Sequence, residues 1–395
     1  MRGNPRNPWQ LPAAYIDKTA VFPFDVFPFD EPTPTAFYLV LYLGTMVLHV
    51  VPMNYVLAGS GLLAVLAGWE TVANRPMEAH ARIAATLRDW LPLALSIAIT
   101  AGVAPLLFLQ VLYKEPFYTA NLLLLHRWML ILPVLIVAFY LLYLQKSKRI
   151  AAGPAGVRLI VSVCILACFG FVAWAWTENH LLSLCGQETW NEQYAHGGFF
   201  YGAWEVLPRL ALWCIGAVAN MAILLAWQLR TSTAADDGPV VGEQLQAARP
   251  LRRLALICLP ATAAAGVVYA LFLPTETSTL IGERGGVYLL LAVLGLAMQA
   301  GGWAIMGRQG PFPLSDLIVT TCGALLTTTT MTLLRELRRL AEIDITLHYG
   351  THAKAAEVGG LGLFIFFLLA NSAAIVWVLV LVGRRVRRNV NHSDP

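Results

Sequence analysis

FYLVLYLGTMVLHVVPMNYVLAGSGLLAVLAGW, residues 37–69, contains no Asp, Glu, Lys or Arg. A helix crosses the hydrocarbon core of a bilayer in about 20 predominantly apolar residues. The stretch therefore reads as a transmembrane helix with length left over for tilt or for projection past the interface. Working outward from it, eight more segments meet the same criterion: Trp90 to Tyr113, Leu122 to Leu144, Val157 to Trp176, Val206 to Leu229, Leu254 to Leu273, Val287 to Met306, Leu317 to Leu334 and Val358 to Val382. Of the 395 residues 58% are hydrophobic and 13% charged, against roughly 25% charged in soluble domains. With a mean hydropathy of +0.64, the expected fold class is all-α, a polytopic integral membrane bundle of nine transmembrane helices.

Cytoplasmic loops carry the excess of Lys and Arg. With the N-terminus outside, the inner loops hold Arg75, Arg82 and Arg88, then Lys146, Lys148 and Arg149, then Arg230, Arg249, Arg252 and Arg253, then Arg308. The tail RRVRR, residues 384–388, is then inside too. The expected topology is N-out and C-in. The net charge of +4 is accounted for by this topology, and nucleic acid is not an expected partner. The lipid bilayer is.

Three parts follow: an arm over residues 1–35, a membrane domain over 36–389 and a cytoplasmic tail over 390–395. The arm lacks a contiguous apolar core, so no cleavable signal peptide is expected. It carries the tandem VFPFDVFPFDEP, residues 21–32. Pro and Asp oppose regular helix there. An extended arm that docks on a partner and an aromatic anchor at the membrane interface are both consistent with it.

Cys164, Cys168, Cys214, Cys258 and Cys322 fall in helices and only Cys185 in an outer loop, so no intramolecular disulfide is implied there. The sequence has no CxxCH, hence no covalent haem c by the usual motif. It also has no Walker loop, HExxH or GxGxxG.

The polar residues inside the apolar runs carry the functional reading, because an ionisable group in a membrane is expensive without a partner. His49 lies in the outer half of the first helix with Met46 and Met53 at helical spacing. Pro52 removes a backbone donor beside it, and Asn54 needs a hydrogen-bond partner. His126 opens the third helix, followed by Arg127, and His180 closes the fourth. A b-type haem takes His or Met as axial ligands with basic groups near its propionates. His49 and His126 are the candidate ligands, each weighed against a histidine that only bonds a neighbouring helix. His80 and His392 read as solvated on the inner side.

The eighth helix, TTCGALLTTTTMTLLRELRRL (320–340), is Thr-rich. Thr can return its hydroxyl to the carbonyl one turn back and allows close helix packing. Arg335, Arg338 and Arg339 lie on one face at its outer end, against the topology rule. As a functional site they would clamp propionates or an acidic partner surface. As structure they would pair with Glu336, Glu342 and Asp344. The segment TENHLLSLCGQETWNEQYAHGGFFYGAWE, residues 177–205, is expected to fold over the outer helix ends as a lid or docking surface.

In order along the chain, His49, Gly59, the Glu70 and Thr71 of GWETV, the Gly102–Ala104 turn of TAGVAPLLFLQVLY and Gln110 resemble the start of subunit I of cytochrome bd-type quinol oxidases. The resemblance covers about the first 115 residues of the membrane domain. It implies a nine-helix, N-out, C-in fold and an axial haem role for His49, with His126 near the family's glutamate of the haem pair site. The chain departs from the family pattern in EVLPRLALWCIGAV, which has no fifth-helix His, and in LPVLIVAFYLL, which has no acid. Its TETSTLIGERGG replaces a long quinol-binding loop. Oxygen reduction by this chain alone is therefore not expected.

The leading expectation is a membrane subunit of a bacterial respiratory electron-transfer complex. It would carry haem b and link quinone to a periplasmic c-type cytochrome, alongside other membrane subunits. A haem-free anchor subunit of such a complex is the second reading. A secondary transporter, with Pro52/Asn54 and Pro260/Gly266 marking broken helices, is the third.

Overall fold

The computed structural model describes residues 26–74, 78–196, 201–231, 240–306 and 312–358, together with Phe366, Leu369, Ala370, Ala373, Trp377 and Val380. Among the described residues there is no strand. The helices are α1 (Thr33–Ala73), α2 (Glu78–Leu112), α3 (Lys114–Leu124), α4 (His126–Lys146), α5 (Lys148–Ala151) and α6 (Ala155–Leu184). They continue as α7 (Gln187–His196), α8 (Val206–Thr231), α9 (Val240–Ala270), α10 (Thr275–Ile305), α11 (Leu314–Glu342) and α12 (Tyr349–Val358). α1, α2, α4, α6, α8, α9, α10 and α11 are long and apolar enough to cross a membrane. The fold is an all-α polytopic bundle. Most of the expected ninth span lies outside the described residues, as do the first VFPFD of the arm and the tail.

Several boundaries differ from expectation. α1 begins at Thr33 and runs unbroken through Pro52, and α9 runs unbroken through Pro260. Neither helix is interrupted in the way the transporter reading requires. The expected third span divides at Leu125, whose φ of 41° ends α3 and starts α4. The fourth span continues past Trp176 to Leu184, because every residue from Thr177 to Leu184 is buried. The segment expected as a lid loop thus begins as the last two turns of a membrane helix.

The described residues fall into two units, Tyr38–Ile345 and the residues before and after it. In the smaller one, Thr35 Oγ1 and His352 Nδ1 lie 2.9 Å apart, Tyr349 donates its hydroxyl to Glu31, and the His348 and His352 rings stack.

The larger unit is held by an apolar core that includes Leu87, Leu91, Ile165, Leu225, Trp303 and Leu317. α10 and α11 pack backbone to backbone, since lipid gives helices no hydrophobic reason to associate and small residues let them approach. A Cβ on Gly295 would lie 2.7 Å from the carbonyl oxygen of Gly323, and one on Gly302 would lie 3.2 Å from that of Asp316. The threonines of α11 return their hydroxyls to its own backbone, as Thr327 does to Gly323 O at 2.9 Å and Thr332 to Thr328 O at 2.7 Å. Asn54 accepts from Trp213 Nε1 at 2.9 Å, so its partner is a neighbouring helix.

Polar contacts also fasten the helix ends. Where α1 ends, Arg158 pairs with Glu70 at 2.5 Å, Arg252 donates to the carbonyls of Trp303 and Ala304, and Arg230 donates to that of Phe312. His80, expected to be solvated, is half-buried there. It lines a cleft with Glu70, Arg88, Gln145, Arg158 and Ser162.

Candidate functional site

At the end of the bundle where α1 begins, the last turns of α11 enter a buried polar cluster. Arg338 and Arg339 are 3% and 1% exposed and Glu336 is 1% exposed. These arginines do not form an outward basic face. The i, i+3, i+4 spacing that grouped them also turns them inward, and of the expected partners they find Glu336 and Glu342, with Glu205 in addition.

Arg339 donates Nη1 to Glu336 at 2.9 Å and to the Tyr42 hydroxyl at 3.3 Å. Its Nη2 lies 2.8 Å from His180 Nδ1, and its guanidinium stands 4.7 Å from the centre of the Tyr113 ring. Arg338 pairs with Glu205 at 2.6 Å and Glu342 at 2.9 Å, and donates to the Tyr269 hydroxyl. Glu342 in turn accepts from Thr277 at 3.0 Å. Arg335 reaches the Tyr42 hydroxyl at 3.0 Å and the Met46 sulfur at 3.8 Å. Arg209 reaches the Tyr269 hydroxyl at 3.3 Å. Buried charges persist when paired and hydrogen-bonded, and α1, α6, α8, α9, α10 and α11 all supply a group here. Burial, with the Glu336 carboxylate close by, pushes the Tyr113 phenol well above its ordinary value.

A second buried pair adjoins the turn from α3 to α4. Arg127 Nη1 donates to both oxygens of Glu178, at 2.7 and 2.8 Å, and Glu178 also accepts the backbone N–H of Tyr201 at 2.7 Å. Asn179 donates to Asn121 at 2.6 Å, and Trp190 to the Leu182 carbonyl at 2.8 Å. The segment after α6 is thereby folded back onto the helix it leaves. Burial raises the Cys185 thiol and the Tyr201 phenol, which lie 3.2 Å apart.

The histidines differ in what their rings can do. His49 Nδ1 lies 2.9 Å from the carbonyl oxygen of Ala98, which can only accept. The proton is therefore on Nδ1 and the Nε2 lone pair is free to ligate, the arrangement in which histidine binds metals. The ring rests on α2, where a Cβ at Gly102 would come within 2.8 Å of Cε1. His180 is the opposite case. A guanidinium can only donate, so Nδ1 of His180 holds the lone pair and Nε2 the proton, and Nε2 is buried without a hydrogen-bond partner. That tautomer does not suit ligation through Nε2. His126 is exposed at the start of α4 while Arg127 beside it is buried.

Thus the structure brings Arg335, Arg338 and Arg339 together with His180, and Arg335 acts electrostatically on His49. It joins His126 to none of them by a hydrogen bond or ion pair. As an axial ligand for haem, His49 fits in tautomer and Arg335 fits as a nearby cation with uncommitted charge. Among the described residues, no group of three or more His, Cys, Asp or Glu could hold a metal ion. Sequence reasoning passed over Tyr42, Tyr113, Tyr269, Glu178, Glu205 and Arg209. An ionisable residue in an apolar span is itself a signal, and it would have flagged Arg209; Glu178 falls beyond its expected span, and tyrosines carry no such mark. The chain matches no protein-family model, and no curated protein matches it.

Proposed function

We propose that this chain is a helical membrane subunit of a bacterial respiratory electron-transfer complex in the cytoplasmic membrane. In it His49 would hold the iron of a haem b, and the subunit would link quinone to a periplasmic c-type cytochrome. The observation that supports this best is the bond from His49 Nδ1–H to the Ala98 carbonyl. Such a bond fixes the ring and its tautomer and raises the basicity of the ligating nitrogen. Arg335, which has no carboxylate partner of its own, would face a propionate. When bound, the haem supplies one-electron transfer.

The reduced-minus-oxidised visible spectrum of the purified chain tests this, together with a pyridine haemochrome assay. Stoichiometric haem b lost in His49→Ala is the expected result, and a colourless, well-folded protein overturns it.

A haem-free anchor subunit is the second reading. It is favoured by the way the charges of Arg338 and Arg339 are paired with Glu205, Glu336 and Glu342 of the chain itself.

A further inference from the structure

The cluster at the end of α11 does not balance its charge. Among the described residues it holds four guanidinium groups, on Arg209, Arg335, Arg338 and Arg339, against three carboxylates, on Glu205, Glu336 and Glu342. The three carboxylates serve Arg338 and Arg339. Among the described residues Arg335 and Arg209 meet neutral groups, the Tyr42 and Tyr269 hydroxyls and the Met46 sulfur. His180 cannot supply the missing negative charge, because it is a neutral ring accepting a bond from Arg339.

Donors are also in surplus. Among the described residues His180 Nε2, Arg335 Nε, Arg339 Nε and the Tyr113 hydroxyl are buried with no hydrogen-bond partner, against two carboxylate oxygens, Glu205 Oε2 and Glu336 Oε1, and His180 Nε2 carries the proton because Nδ1 accepts from Arg339. His180 is 4% exposed, and Arg209, Arg335 and Arg338 act on its ring electrostatically alongside Arg339. An uncompensated charge and unpaired N–H groups in a low-dielectric interior are each costly, and one feature would relieve both.

We infer that this cluster is a binding site for one small monovalent anion, a halide or a carboxylate of formate size, held by Arg209, Arg335 and the Nε2–H of His180. Arg209 and Arg335 are half-buried, while His180 and Arg339 are 4% and 1% exposed. The bound anion neutralises the excess charge and completes the cross-link between α6, α8 and α11. The site shares Arg335 with the haem reading, in which a propionate would meet that guanidinium, and otherwise uses Arg209 and His180; anion binding by a colourless protein would leave the site standing while the haem reading fails.

The test uses the full chain purified in detergent and exchanged into sodium methanesulfonate, with sodium formate or sodium chloride titrated in at constant ionic strength. Thermal unfolding is followed by tryptophan fluorescence, since a ligand that binds only the folded state raises Tm in a saturable way. A saturable rise for formate or chloride is expected, together with at least a ten-fold weaker apparent affinity in Arg335→Gln. Arg335→Gln should also unfold at a higher temperature than the parent in methanesulfonate alone, because it removes the surplus charge. Arg209→Gln gives the same reading should Arg335→Gln fail to fold. Identical Tm values in all three salts, or an undiminished saturable response in the variant that folds, would overturn the site.

Discussion

Nη2 of Arg339 lies 2.8 Å from Nδ1 of His180, joining the end of α11 to the end of α6 across 159 positions of sequence. The same guanidinium binds Glu336 and the Tyr42 hydroxyl, so three buried groups share one cation. Removing one partner of a buried pair leaves the other uncompensated and costs about 3–5 kcal/mol.

Arg339→Met should therefore lower stability by about 3–5 kcal/mol, measured by reversible denaturation in detergent. Arg339→Met combined with Glu336→Met should recover a large part of that loss. Equal instability of the single and double variants would show that the Arg339–Glu336 pair is not what Arg339 contributes.

His49 should respond to a change on the helix that supports it. In Gly102→Val the new side chain meets the ring, whose Cε1 would be 2.8 Å from a Cβ there, so the bond to Ala98 cannot persist unchanged. Overpacking of this kind costs about 1–3 kcal/mol. Haem content, where the parent carries haem b, should fall in parallel with that in His49→Ala. Full haem content in Gly102→Val would argue against His49 as ligand.

The contact of α10 with α11 should tolerate no side chain at its centre. Gly295→Val drives a Cβ toward the backbone of Gly323, which cannot rotate away, and should cost about 3 kcal/mol or more. Gly301 is the control on the same helix: a Cβ there meets nothing within 4 Å. Gly301→Ala should be neutral or stabilising by about 0.5–1 kcal/mol. A similar effect of both changes on Tm would contradict the packing.

Cys185 should report on the segment that folds back after α6. Burial pushes its thiol up, so less thiolate is present at a given pH and its maleimide reaction should set in at higher pH than that of a free thiol. Glu178→Ala removes the acceptor that holds Tyr201 N–H and Arg127. With the other cysteines replaced by Ala, Glu178→Ala should speed labelling several-fold at pH 8. An unchanged rate would mean that Glu178 does not hold this segment down.

The bilayer-scale features were legible in the chain. Apolar runs near 20 residues have few structures open to them, since backbone groups in lipid must be satisfied internally. Eight of the nine expected spans appear as helices among the described residues. The limits of the spans were less legible. Pro52 looked like an interruption, yet α1 passes through it, whereas Leu125 gave no warning of the break it makes. α6 outlasts its apolar run because Glu178, Asn179 and His180 have partners that make burial affordable.

Sequence alone determined that this is a membrane-embedded helical protein, and it placed Arg335, Glu336, Arg338 and Arg339 on neighbouring positions of one helix, because hydropathy and the helical repeat are local properties. Tertiary structure alone decided which way those residues face and what they meet. A guanidinium on a helix can look to water, to a partner or inward. The inward state holds here because Tyr42, His180, Glu205 and Tyr269, far apart in the chain, converge on α11 and replace the solvation that Arg338 and Arg339 give up.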